Sequence, residues 1–111
     1  MRKLIYLASP YSDPSDDIRC QNYETVSKLA AKLCSEGHVV LSPITYGHTL
    51  CGFREMPTEW EFWENYCITL LEKCDEMIVY MMNGWEKSKG VTAEIKFCKE
   101  NKIPITYLDS N

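Results

Sequence analysis

Chain breakers are scarce in this sequence, with five glycines and five prolines in 111 residues, and there are only two histidines. With 45% hydrophobic and 25% charged residues, that scarcity excludes collagen-like repeats and extended disorder. Long apolar runs are missing as well. The longest, Met77 to Met82, covers six residues, against roughly 20 for a membrane-crossing helix. Met1-Arg2-Lys3 leads into a strand-like run with no signal-peptide core or cleavage site. Excess positive charge is absent too: 12 Lys and Arg stand against 16 Asp and Glu, a net charge of −4. No basic stripe is therefore available to displace the counterions of a nucleic acid. These absences lead us to expect a cytoplasmic protein with a small-molecule partner, no nucleic acid and no membrane.

Several familiar signatures are also missing. No G-x-x-x-x-G-K-[ST] or G-x-G-x-x-G follows a strand, and no G-x-S-x-G elbow occurs. Six cysteines are present, but gaps of 14, 17, 16, 7 and 24 include no C-x-x-C pair. Cys34 and Cys98 fall on apolar helix stripes and Cys74 ends a helix, so reduced, hydrophobe-like thiols are expected. Two histidines, His38 and His48, do not make a zinc site, and neither a metal nor an organic cofactor is expected.

The elements that are present alternate. Leu4 to Ala8 is a continuously apolar run closed by Ser9-Pro10, which predicts a buried strand. Asp13-Pro14-Ser15 offers an N-cap for a helix over Asp16 to Glu36, striped by Tyr23, Val26, Ala30 and Leu33 and stopped by Gly37. His38 to Ser42 predicts a second strand. Residues 43–57, with Gly47, Gly52 and Pro57, predict a long loop of the kind that often carries function. Thr58-Glu59-Trp60-Glu61 fits a capping box opening a helix to about Lys73. Met77 to Met81 predicts a third strand, Val91, Ile95 and Cys98 stripe a helix to about Asn101, and Pro104 to Leu108 predicts a last strand. The β-α-β-α-β-α-β order with apolar strands predicts one domain over residues 1–111. Its fold is a flavodoxin-like α/β three-layer sandwich with a four-stranded, at most five-stranded, parallel sheet in order 2-1-3-4. Ligands of such sheets sit outside the carboxyl ends of the strands, where the winding reverses. That point falls between the first and third strands.

The segment Gly84 to Glu94 reaches this point. Ser88 and Gly90 can present a hydroxyl and free amides at a helix start, an anion site, and Glu94 follows one turn on. A half-buried carboxylate there can attack an electron-poor carbon. A plainer reading stands beside it, with Ser88 as an N-cap and Glu94 as an acid favoured by the helix dipole.

The ordered set Ile5-Tyr6-Leu7-Ala8-Ser9-Pro10-Tyr11, Gly37-His38-Val39-Val40, Ser42-Pro43-Ile44, Trp60-Glu61-Phe62-Trp63, Cys74-Asp75-Glu76 and Gly84-Trp85 through Glu94 resembles the nucleoside 2-deoxyribosyltransferase-like superfamily over nearly the whole chain. It is most similar to a small bacterial and phage branch, and its Ser-x-Gly-Val-x-x-Glu segment resembles that of deoxynucleoside 5′-monophosphate N-glycosidases. The resemblance implies cleavage or transfer at an N-glycosidic bond. Glu94 would be the nucleophile at C1′ and Tyr6 the residue orienting it. Ser88, Gly90 and Ser9 would lie near the sugar and 5′-phosphate, and Pro10, Tyr11 and Gly84 belong to the matched loops. One position departs from the pattern. The aspartate expected eight residues before Asp75 is Cys67, and Glu64, a turn earlier, is the nearest carboxylate to take its place. A silent nucleotide-binding module on the same scaffold is the alternative.

Six further side chains each keep two readings. Trp60 and Trp63 either wall a base pocket or fill the core. His48 contacts a base or phosphate, or is an exposed loop residue. Arg19 reaches a phosphate, or pairs with Asp16. Lys87 and Lys89 attract an anion, or simply solvate a turn.

So small a frame leaves little chain to close a pocket, and the enzymes it resembles complete theirs with a neighbouring subunit. A homodimer or larger even oligomer is expected. Sedimentation at micromolar concentration should show it, and a strictly monomeric species would overturn it.

Overall fold

Each strand begins where a short apolar run leaves a turn, and the strands are too short to connect except by helical crossovers. In the computed structural model, which describes residues 2–110, the order is β1 (Leu4–Ala8), α1 (Asp16–Ser35), β2 (Val39–Leu41), α2 (Pro43–Cys51), α3 (Trp60–Leu71), β3 (Glu76–Met81), α4 (Lys89–Glu100) and β4 (Ile105–Asp109), with a single 3-10 turn over Trp85–Lys87 before α4. Met1 and Asn111, the outermost positions of the expected domain, lie outside the described residues. The sheet has four strands, all parallel, in order β2-β1-β3-β4. That is the architecture expected from the alternation, with no fifth strand among the described residues.

Side chains alternate across the sheet and build a core on each face. On one face Tyr6, Ala8, Met77 and Val79 meet Cys67 and Leu71 of α3 and Val91 and Cys98 of α4. On the other, Leu7 and Met82 meet Val26 of α1, with Leu29, Val40, Ile44 and Ile78 around them. The helices thus form two layers, α3 with α4 and α1 with α2. β1 is central, its residue Tyr6 in register with Leu41 on one side and Met77 on the other. Asp75 clips the start of β3 to β1, its carboxylate accepting from the Leu4 amide at 2.7 Å and its amide donating to the Leu4 carbonyl at 2.8 Å.

Three local expectations are corrected. Residues 43–57 are not a single loop, because Pro43–Cys51 forms α2. Pro43 sits at the helix start, and Ser42 Oγ binds Thr45 Oγ1 at 2.7 Å, which in turn binds Ser27 of α1 at 2.7 Å. Gly47, which looked like a turn signal, is a helical glycine under the Trp63 ring, where an added Cβ would lie 3.5 Å from it. The capping box also fails. Glu59 occupies the N-cap of α3 without a side-chain cap bond, and Glu61 instead meets Lys89 at 3.2 Å. Cys34 is exposed rather than packed, at the edge of the stripe carrying Val26 in the last turn of α1.

The two helical glycines therefore respond differently to a methyl group. Gly47→Ala gains helix propensity with a Cβ in ordinary contact, and should raise stability by about 0.5–1 kcal/mol. Gly90→Ala would press its Cβ to 3.0 Å from the Trp60 ring and should show no such gain. Urea unfolding midpoints of the two variants check this.

Candidate active site

Strand β1 ends at Ala8, and the chain then turns outward through Ser9 and Tyr11 to the start of α1. Strand β3 ends one position along the sheet, and α4 begins above it. The gap between the two departing chains is the reversal point of the winding, and a cleft of about 650 Å³ opens there. That is within the range of small-ligand sites, ~300–1,000 Å³. Its walls come from α1 and α2 on one side and from α3 and the α4 start on the other, with Ser9, Cys67 and Glu94 among its lining residues.

Tyr6 points from β1 toward α3 and α4 and is fully buried. Its hydroxyl donates to Glu94 Oε2 in a short, buried hydrogen bond across 88 residues of sequence. Glu94 is 4% exposed. Burial outweighs the Tyr6 bond and pushes the Glu94 carboxyl up to about 8, so it is mostly protonated at neutral pH. The same burial, with the nearby carboxyl, raises the Tyr6 phenol. Cys67 lies against both, and burial followed by the Glu94 charge pushes its thiol up to about 12. It is therefore a neutral neighbour, where a second carboxylate would compete with Glu94 for ionisation.

At the α4 start the plainer reading of Ser88 holds. Its Oγ accepts from the Val91 amide at 3.2 Å, so it is the N-cap, and it lines the cleft with Lys87, Lys89 and Gly90. Across the floor, Ser9 is 6% exposed, and its Oγ has no hydrogen-bond partner among the described residues. A buried unpaired hydroxyl costs about 1–3 kcal/mol, a cost that a polar ligand group in the cleft would relieve.

The remaining expected residues divide. Tyr11, Arg19, His48 and Trp60 line the cleft, as does Trp63, whose Nε1 donates to the Pro57 carbonyl at 2.8 Å. Arg19 takes the second of its readings, pairing closely with Asp16 and donating to the Asp13 carbonyl at the cleft wall. Three residues are not brought to the cleft. Glu64 is exposed on the outer side of α3, a turn from Cys67 but rotated away from it, and does not replace the expected aspartate. Gly84 holds φ +86° ahead of the 3-10 turn, a backbone role that suits a residue without Cβ. Pro10 is buried between Ser9 and Tyr11 and does not line the opening. Sequence reading missed Cys51 and Tyr23. Cys51 shares the cleft-facing side of α2 with Gly47 and His48, a spacing visible only once α2 is recognised as a helix. Tyr23 stacks on His48 instead of filling the core.

Among the described residues no group of three or more His, Cys, Asp and Glu is placed to hold a metal ion, and no helix is long and apolar enough to cross a membrane. A family model described as a domain of unknown function, DUF1937, matches residues 3–109, and the chain belongs to that family. A comparison with curated proteins returns no match.

Because the Glu94 carboxyl is raised on folding, its neutral form favours the folded state, and that advantage is lost as pH rises from about 4.5 through about 8. Glu94→Gln should therefore be more stable than wild type, by a margin that widens from pH 5 to pH 8 and reaches on the order of 3 kcal/mol. Melting curves across that range check it, and a margin independent of pH would contradict it.

Proposed function

We propose that this protein cleaves, or transfers at, the N-glycosidic bond of a nucleoside or its 5′-monophosphate, with Glu94 as nucleophile. The observation that carries this reading is Glu94, bonded to the buried Tyr6 hydroxyl, on the floor of a cleft that also holds a helix N-terminus and an orphaned serine hydroxyl. In this reading the sugar lies over Glu94. The 5′ end meets the α4 amides, the Lys87 and Lys89 charges and the Ser9 hydroxyl. The base extends toward α2.

The chemistry has two steps. Ionised Glu94 attacks C1′ as the bond to the base breaks, forming a glycosyl ester, and the Tyr6 hydrogen bond holds the attacking carboxylate in place. Water then opens the ester, or a second base captures the sugar. Desolvation raises the Glu94 carboxyl in the free protein, but the positive charge that develops at C1′ favours the ionised form in the transition state.

Cys67 supports a second reading, in which the cleft binds a nucleotide without turning it over. A thiol that stays neutral cannot serve as the second acid–base group usual in glycoside cleavage.

Incubation with a panel of nucleosides, deoxynucleosides and their monophosphates, followed by chromatography of free base, separates the two. Cleavage predicts base release that Glu94→Ala lowers by at least ~10³-fold. It also predicts a kcat/KM that climbs with pH toward a plateau above about 8, since only ionised Glu94 attacks. Thermal stabilisation by a nucleotide with no base released from any of them supports the binding module. Release unaffected by Glu94→Ala would sink the assignment of the nucleophile.

A further inference from the structure

Breaking an N-glycosidic bond leaves an electron pair on the departing base, and some group must bear that charge. Cys67 is packed on the floor beside Glu94 and Tyr6, where the reading above puts the sugar and not the base. The other wall of the cleft carries a candidate that the Glu94 chemistry leaves unused.

His48 faces the cleft from α2, opposite the α4 start. Its imidazole is held on two sides. Nδ1 lies 2.8 Å from Tyr11 Oη, a contact between segments 37 residues apart. The ring stacks on Tyr23 of α1, with centroids 4.1 Å apart and planes 24° from parallel, while Tyr11 meets it edge-on at 5.7 Å. A ring fixed by both a hydrogen bond and a stack has one orientation available, which an exposed loop histidine does not. The charged and titratable groups facing it are Arg19 and Tyr23 from α1, Cys51 from α2 and Tyr11 from the β1–α1 segment. Burial, and then the Arg19 cation, lower the His48 pKa, so the ring is neutral at pH 7.

We propose that His48 is the catalytic residue of the base end of the cleft, donating its Nε2–H to the nucleobase as the C1′–N bond breaks, and that Tyr11 is the positioning residue that keeps the proton on Nε2. This rests on the N-glycoside reading above. In the proposed tautomer Tyr11 Oη–H donates to Nδ1 across the 2.8 Å contact, which leaves Nε2–H as the free donor of the ring. A neutral imidazole used in this way is an electrophile, stabilising negative charge without having first to be protonated. As Glu94 forms its ester to C1′, the electron pair of the broken bond moves onto the base, and the Nε2–H hydrogen bond bears that charge. Solvent supplies the proton the base finally takes, and water returns one when it hydrolyses the ester and frees the carboxylate. The substrate must therefore present a ring nitrogen or carbonyl acceptor toward α2, as a nucleobase does.

The test is a leaving-group series: deoxynucleoside 5′-monophosphates carrying bases of graded acidity, including 5-fluorouracil beside uracil and 7-methylguanine beside guanine. Base release is followed for wild type, His48→Gln and Tyr11→Phe, each checked for wild-type-like melting. His48→Gln should lower kcat/KM by ~10²-fold on the poorest leaving group and by less than ~10-fold on 7-methylguanine, which departs without needing a donor. Its dependence on leaving-group acidity should thus be steeper than that of wild type, and Tyr11→Phe should steepen it in the same direction by less. Parallel plots for wild type and both variants, or unchanged rates, would overturn the role of His48 while leaving the Glu94 chemistry standing. Wild type inert on every compound, 7-methylguanine included, would overturn the N-glycoside reading, and the proposal with it.

Discussion

Placing a carboxyl group in the dry interior of a small domain is the constraint around which the rest of this molecule is arranged. Glu94 is almost wholly buried with one polar partner, the Tyr6 hydroxyl. An isolated charge in such a place costs several kcal/mol, so the group resolves the conflict by holding its proton. What keeps it there is the sheet. Tyr6 sits on the central strand with neighbours in register on both sides, so its backbone cannot shift without breaking two ladders, and its ring is packed on every side. Helix α4 is held equally firmly by Val91 and Cys98, which pack on either side of Glu94 along one helical face. Stability and the candidate chemistry therefore pull against each other at one residue, as is common where a site is built into a core.

The cleft follows from the same arrangement. Because β1 is central and the winding reverses beside it, the chains leaving β1 and β3 diverge, and the space between them is framed by helix starts and loop ends. Each wall has its own chemical character. The α4 side offers amides, hydroxyls and lysines, suited to anionic or hydroxylated groups. The α1–α2 side offers Ile44, the helical Gly47 and the stacked rings of Tyr23 and His48, suited to a flat heterocycle. Trp60 and Trp63 of α3 lie between, both shielding the floor, and Gly90 beneath the Trp60 ring is what allows that ring to lie so close.

Most of the fold was legible in the sequence because buried parallel strands read as unbroken apolar runs and crossover helices as striped ones, and each run here is bounded by Pro, Gly or Asp. The exception is α2. Its glycine and leading proline carry turn chemistry in one dimension and close packing in three, and only the Trp63 ring above Gly47 tells the two apart. The Glu94–Tyr6 pairing was legible through resemblance, since nothing local links positions 88 residues apart. The Tyr11–His48–Tyr23 cluster was not legible at all as a unit. It joins one residue from the β1–α1 segment, one from α1 and one from a helix taken for loop, and no spacing rule connects them.

Cys67 ties these threads together. A carboxylate at that position would sit beside Glu94 and Tyr6, and two acids that close cannot both ionise, so they would titrate as a coupled pair. With a thiol whose proton is held to about pH 12, Glu94 titrates as a single acid, and the floor of the cleft carries one ionisation instead of two. A site with one such group can attack or stabilise but offers no second carboxyl as a proton donor on the same floor. Any charge appearing on the far side of the reacting bond must then be met from another wall. The wall that faces it holds one imidazole, oriented by a tyrosine and neutral beside an arginine. Under the proposed chemistry the thiol at position 67 on α3 and the ordered imidazole of His48 on α2 are two parts of one arrangement, seen from two sides of the same cleft.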